Sequence, residues 1–104
     1  MKLLKLLTVV ATLVLFVDVS VQADEKKGQK IIIIKLKDDC GMNGAILAKK
    51  HTQDEWKAIN DDGSLPAEIQ KICPNSKPLK EKYYPHVYDF LYNYALDSGK
   101  VPSC

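Results

Sequence analysis

Tyr83-Tyr-Pro-His-Val-Tyr-Asp-Phe-Leu-Tyr-Asn-Tyr94 reads as an amphipathic helix, and it sets the class of the whole chain. Val87, Phe90, Leu91 and Tyr94 fall at i, i+3, i+4 and i+7, the spacing that gathers apolar side chains on one helical face. Pro85 suits a first helical turn, where its missing N–H costs nothing. Ser98-Gly99, followed by Pro102, supplies the stop. Six of the seven aromatic residues between positions 24 and 104 lie in this stretch, so the aromatic content belongs to one helix. About half of those rings are expected to pack and the others to face solvent.

Working upstream, Leu65, Ile69 and Ile72 share a face of a second helix that Ser64-Leu-Pro66 opens and Pro74 ends. Residues 74–84 form a lysine-bearing connector with room for a helical turn at Leu79–Lys82. Thr52-Gln-Asp-Glu55 is a capping box. The Thr52 hydroxyl can accept from the Glu55 N–H, while the Glu55 carboxylate accepts from the Thr52 N–H. The helix it starts runs to about Asn60, buries Trp56 and Ile59, and stops at Asp61-Asp-Gly63. A shorter helix spans Asn43 or Gly44 to Lys50, after a turn at Asp38–Asn43 in which Gly41 is free to take a positive φ.

Lys30-Ile-Ile-Ile-Ile-Lys-Leu-Lys37 is read differently, as a strand. Four consecutive isoleucines are stiff at χ1 and favour extended backbone, and Ile34-Lys35-Leu36-Lys37 alternates. No second strand-like run follows. A lone strand either lies across the helices or pairs with its copy in a second molecule, and the first is expected.

The amino-terminal end has another character. Lys2 and Lys5 precede a predominantly apolar run from Leu6 to Val17, and Val21-Gln22-Ala23 has the form of a cleavage site. Asp18 interrupts the run too early for a membrane span, which needs roughly 20 apolar residues. A signal peptide cleaved after Ala23 is therefore expected, with a periplasmic product that carries no membrane segment. The expected organisation is a leader at 1–23, an extension with the strand at 24–39 and a helical domain at 40–104.

Residues 24–104 hold 13 lysines and no arginine, against 12 Asp plus Glu. That balance excludes a strongly basic nucleic-acid binder. So short a chain also leaves no room for a multi-domain enzyme, and no paired carboxylates, nucleophile motif or phosphate-binding glycine loop is present. No enzyme activity is expected.

The cysteines are Cys40, Cys73 and Cys104, an odd number, which implies one internal bridge and one remaining thiol. If the connector crosses the molecule, Cys104 returns towards Cys73; if it stays at one end, Cys104 falls nearer Cys40. Cys73–Cys104 is the expected pair, with Cys40 the odd thiol. No Cys-x-x-Cys occurs, and Cys and His never pair at zinc-ligand spacing.

Cys40-Gly-Met-Asn-Gly44, His51-Thr-Gln-Asp-Glu-Trp56, Ile72-Cys-Pro74 and Tyr88-Asp-Phe-Leu together with Asp97-Ser-Gly99 and Pro102-Ser-Cys104 resemble a group of small exported bacterial cytochrome c-like proteins. The His-Thr-x-x-Glu-Trp helix and the final aromatic helix are also similar to the later helices of class I c-type cytochromes. The resemblance implies a small three- to four-helix domain, mostly α, and a part in electron transfer with a periplasmic redox protein as partner. It also implies haem, although the Cys-x-x-Cys-His attachment motif is absent. Cys40 as a single thioether, with Met42, His51 or His86 as axial ligand, is the arrangement such a haem would require. The alternative is a non-catalytic, disulfide-stabilised binding module that works through its aromatic helix or its isoleucine run, as a monomer or a weak homodimer.

Overall fold

The computed structural model describes residues 24–102. The leader and its cleavage site lie outside them, as does Cys104. The described residues are mostly helical and contain no strand. The elements are α1 (Glu25–Ile31), a π-helical turn (Ile32–Leu36), α2 (Lys37–Cys40), α3 (Gly44–Ala48), α4 (Gln53–Asp61), α5 (Leu65–Ile72), a 3-10 turn (Glu81–Tyr83) and α6 (Tyr84–Asn93).

The expected strand at the isoleucine run is corrected: residues 25–40 wind as one helical rod. A strand would place Ile34 and Leu36 on the same side. Instead Leu36 is fully buried while Ile34 is 66% exposed. The buried positions are Gly28, Ile31, Ile32 and Leu36, with Cys40 half-buried behind them. Gly28, Ile32, Leu36 and Cys40 repeat every four positions, and in a straight α-helix each such step overshoots a full turn by about 40°. The wider turn, in which the Lys37 N–H reaches back to the Ile32 carbonyl, takes up that overshoot and keeps Gly28, Ile32, Leu36 and Cys40 in one row. Magnitudes explain why helix wins. Intrinsic preference disfavours isoleucine in a helix by at most about 0.7 kcal/mol per residue. Burying a large aliphatic side chain returns roughly 1.5–3 kcal/mol, and the rod buries three.

Asp24 caps the rod, its Oδ1 accepting from the Lys26 N–H at 2.9 Å. Gly41 closes it with φ 73°, so the positive φ anticipated there is present. The Thr52–Glu55 capping box forms in both directions.

α6 is the hub. α1, α3, α4 and α5 all pack on it. Val87, Phe90 and Leu91 are completely buried, and Trp56, Leu47, Leu65 and Ile69 meet them in one core. The Trp56 indole N–H donates to the Ala48 carbonyl at 2.8 Å, so the largest core side chain also ties α4 to the end of α3. Ile59 and Ile72 are half-buried at the margin of the core. Approach of α1 to α6 is so close that a Cβ on Gly28 would stand 2.0 Å from the His86 carbonyl oxygen.

α6 ends at Asn93, earlier than the Ser98-Gly99 stop. Beyond it the chain bonds to the start of α4 instead of continuing the helix. The Leu96 N–H donates to the His51 carbonyl at 3.0 Å, and the Gln53 N–H donates to Asp97 Oδ1 at 2.9 Å.

The bridge joins Cys40 to Cys73, a second correction, because Cys73 was expected to pair with Cys104. The helical rod carries Cys40 along the core to the end of α5, which an extended segment at 30–37 would not have done. Closing a loop of 33 residues is worth about 3.5–4 kcal/mol in the chain-entropy treatment.

Candidate functional site

Of the cysteines singled out by sequence, Cys40 and Cys73 are brought together, and the bond uses up the sulfur of Cys40. Met42 is half-buried against the core. His51, at the α3–α4 junction, has Nε2 2.8 Å from Glu68 Oε2 on α5 and Nδ1 3.6 Å from Glu55 Oε1. Its ring stands edge-on to Trp56, with centroids 4.7 Å apart. His86, in the first turn of α6, is 8% exposed, and its Nδ1 accepts from the Asp24 N–H at 3.1 Å. The two histidines thus serve different junctions: His51 holds α3, α4 and α5 together, and His86 holds the start of α1 to α6.

These residues do not fit a haem attached through Cys40. A thioether at Cys40 requires a free sulfur, and that sulfur is bonded to Cys73. Both ring nitrogens of His51 face carboxylates, and His86 Nδ1 is a hydrogen-bond acceptor for backbone. Among the described residues no buried side-chain nitrogen or oxygen lacks a partner, so no orphaned polar group points to a missing ligand. Nor do three His, Cys, Asp or Glu side chains among them cluster as a metal site.

The surface feature that sequence reasoning missed lies on the outer face of the N-terminal rod. Lys27, Lys30, Ile31, Ile34 and Lys35 follow the i, i+3, i+4, i+7, i+8 pattern, so they form one stripe beside the buried row. That stripe and the connector make two adjoining hollows. The larger, of about 360 Å³, is lined by Ile34, Lys35, Asp39, Lys77, Pro78, Leu79, Lys80 and Tyr83. The smaller, of about 200 Å³, is lined by Lys27, Lys30, Ile31, Ile34, Lys35 and Tyr83. Ile34, Lys35 and Tyr83 belong to both, so the hollows form one cleft.

Both banks are fixed. The connector leaves Cys73 through a tight turn in which the Ser76 hydroxyl donates to the Cys73 carbonyl at 2.7 Å. It is pinned again where the Leu79 N–H donates to the Tyr84 hydroxyl at 3.1 Å. The Cys40–Cys73 bond fastens the end of the rod to the start of the connector, so one covalent link joins the two walls.

Electrostatically the cleft is one-sided. Five lysines line it against the single carboxylate of Asp39. The one lysine salt bridge among the described residues, Lys57–Asp61 at 2.6 Å, is not part of it. The cleft lysines therefore stand among apolar side chains without acidic ion partners among the described residues. Lys82 adds a sixth, 5.6 Å from the Tyr83 ring centroid. Titration behaviour is perturbed away from the cleft. The Glu55 carboxyl is held below its ordinary value, chiefly by the hydrogen bond from the Thr52 backbone. Burial raises the Tyr88 phenol. The stripe was present in the sequence but is visible only once the isoleucine run is wound as a helix. Glu68 as partner of His51 had no local signal at all.

No family model, no curated protein and no solved structure matches the chain.

Proposed function

We propose that this protein is a non-catalytic, disulfide-closed binding module, exported to the periplasm, which engages a partner through the lysine-rimmed cleft between the N-terminal rod and the 74–84 connector. The observation that carries this reading is the pairing of the apolar lining residues Ile31, Ile34, Leu79 and Tyr83 with five lysines that have no ion partner among the described residues. Exposed apolar side chains inside a ring of charge are the usual composition of a contact surface, with apolar contact supplying affinity and charge supplying orientation and encounter rate. The covalent link between the cleft walls supports the same reading, because a preorganised site loses less entropy on binding. The resemblance to cytochrome c-like proteins is carried forward in its helical character. Its haem is not, for the sulfur of Cys40 is engaged. A periplasmic redox protein with an acidic docking face belongs to the class of partner this cleft suits.

Two measurements test the reading together. Protein purified from an exporting host with intact haem-attachment machinery is expected to be colourless; a Soret band that survives denaturation would refute it. A photo-reactive side chain at position 34 is expected to yield an adduct in that host, whereas one at the equally exposed Leu96 yields none. Equal adducts at both positions, or none at position 34, would refute the cleft as the contact surface.

A further inference from the structure

We infer that the occupant of the cleft is an acidic segment of a protein that carries an apolar anchor between its carboxylates. The inference rests on the proposed binding function and names its partner class. Charge complementarity decides the sign. Lys27, Lys30 and Lys35 stand on the rod, Lys77 and Lys80 on the connector, and Asp39 is the only carboxylate lining the cleft among the described residues. A segment in the cleft is therefore flanked by ammonium groups on both sides. Its centre lies on Ile34, Leu79 and Tyr83, which need an apolar side chain to cover them.

Shape and chemistry favour this occupant over other anions. Adsorption to an anionic bilayer requires an apolar face that stands outward and sinks into the headgroup layer. Here Ile34, although 66% exposed, is set among lysines of both the rod and the connector in a concave site, which a peptide segment fills more closely than a flat headgroup layer does. Lysines alone hold nucleic acid only by non-specific phosphate attraction, and closer recognition adds repeated stacking platforms or arginine forks. The chain has no arginine, and Tyr83 is the one aromatic ring in the cleft. Carboxylates arriving on a flexible segment need neither device, since lysine ammonium groups meet them as point charges.

The test uses the exported, disulfide-bonded protein and a fluorescein-labelled probe peptide of alternating glutamate and leucine with one central phenylalanine. Binding is read by fluorescence anisotropy, and the site by methyl and ring NMR signals of Ile34 and Tyr83. Saturable binding that shifts both signals and weakens with salt is expected. The double variant K35E/K80E is expected to weaken it about 10-fold, since paired exposed charges are each worth a few-fold and here are reversed. K49E/K100E makes the same change in net charge outside the cleft and is expected to change affinity less than 2-fold. Helical circular dichroism confirms that both variants fold. Equal losses in the two variants would overturn the inference, because net charge alone would then account for binding. So would tighter binding to phosphatidylglycerol vesicles or to a DNA oligonucleotide than to the peptide. If a peptide with lysine in place of glutamate shifts Ile34 and Tyr83 while the acidic one does not, the partner class is wrong and the cleft reading stands. If neither peptide shifts them, both fall.

Discussion

The rod at residues 25–40 and the helix α6 at residues 84–93 pack directly on each other, yet they are specified in opposite ways. α6 declares itself locally. Its apolar residues keep helical spacing, a proline stands in its first turn, and its buried side chains face the other helices. The rod contradicts its own local preference. Its four isoleucines favour extended backbone, and only the neighbour supplies the reason to wind, through Gly28 under His86 and Ile32 and Leu36 in the core. Consistency between local and tertiary preference makes α6 a hub. The rod's fold depends on what it meets, and its outward face is correspondingly free to carry lysines and isoleucines.

That contrast breaks most sharply at the bridge. Replacing Cys40 and Cys73 together by alanine is expected to cost about 3.5–4 kcal/mol in urea unfolding. Amide exchange is expected to rise first in residues 30–40 and last in α6. Uniform loss of protection would mean that the rod is as self-sufficient as the hub.

Next in size is a pair of substitutions within the isoleucine run. Ile32→Ala, at a position 1% exposed, is expected to cost about 3 kcal/mol. Ile34→Ala, two residues on and exposed, is expected to stay within about 0.5 kcal/mol. A strand would put both side chains on one face and make their costs comparable, so the ratio of the two distinguishes helix from strand.

Gly28→Ala probes the contact between the two regions. Its Cβ would meet the His86 carbonyl, forcing α1 away from α6 at a cost of about 2 kcal/mol, as overpacking generally does. A neutral outcome in a denaturation series would show that the close approach is not needed.

The smallest expected effect lies outside both regions and serves as their control. Glu55 is exposed, and its carboxyl is held below the ordinary value of 4.5, chiefly by the Thr52 backbone hydrogen bond. A depressed folded-state value means that the capping box stabilises above pH 4.5 and loses that contribution as pH falls through the folded-state value. The urea midpoint of the parent protein is therefore expected to fall more steeply in acid than that of Glu55→Gln. Parallel pH profiles would remove the box from the stability of α4.

Much of the fold was legible because the signals were local. The Thr52–Glu55 box, the Leu65–Ile69 face, Trp56 in the core and the α6 stripe all depend on residues a few positions apart. The rod was not legible, because β-branched preference is a short-range signal that the burial of three aliphatic side chains outweighs. The same misreading hid the cleft. Lys27, Lys30, Ile31, Ile34 and Lys35 form a stripe only on a helix, and the connector that faces them is folded by long-range ties to Cys73 and Tyr84. Disulfide pairing was equally out of reach, since it depended on where the rod delivers Cys40.

A non-reduced proteolytic digest, alkylated beforehand and read by tandem mass spectrometry, bears on all of this at once. The structure predicts a peptide pair joined through Cys40 and Cys73. A Cys73–Cys104 pair with label on Cys40 would free the sulfur that haem attachment needs, unfasten the two walls of the cleft and contradict the helical rod that brings Cys40 to the end of α5.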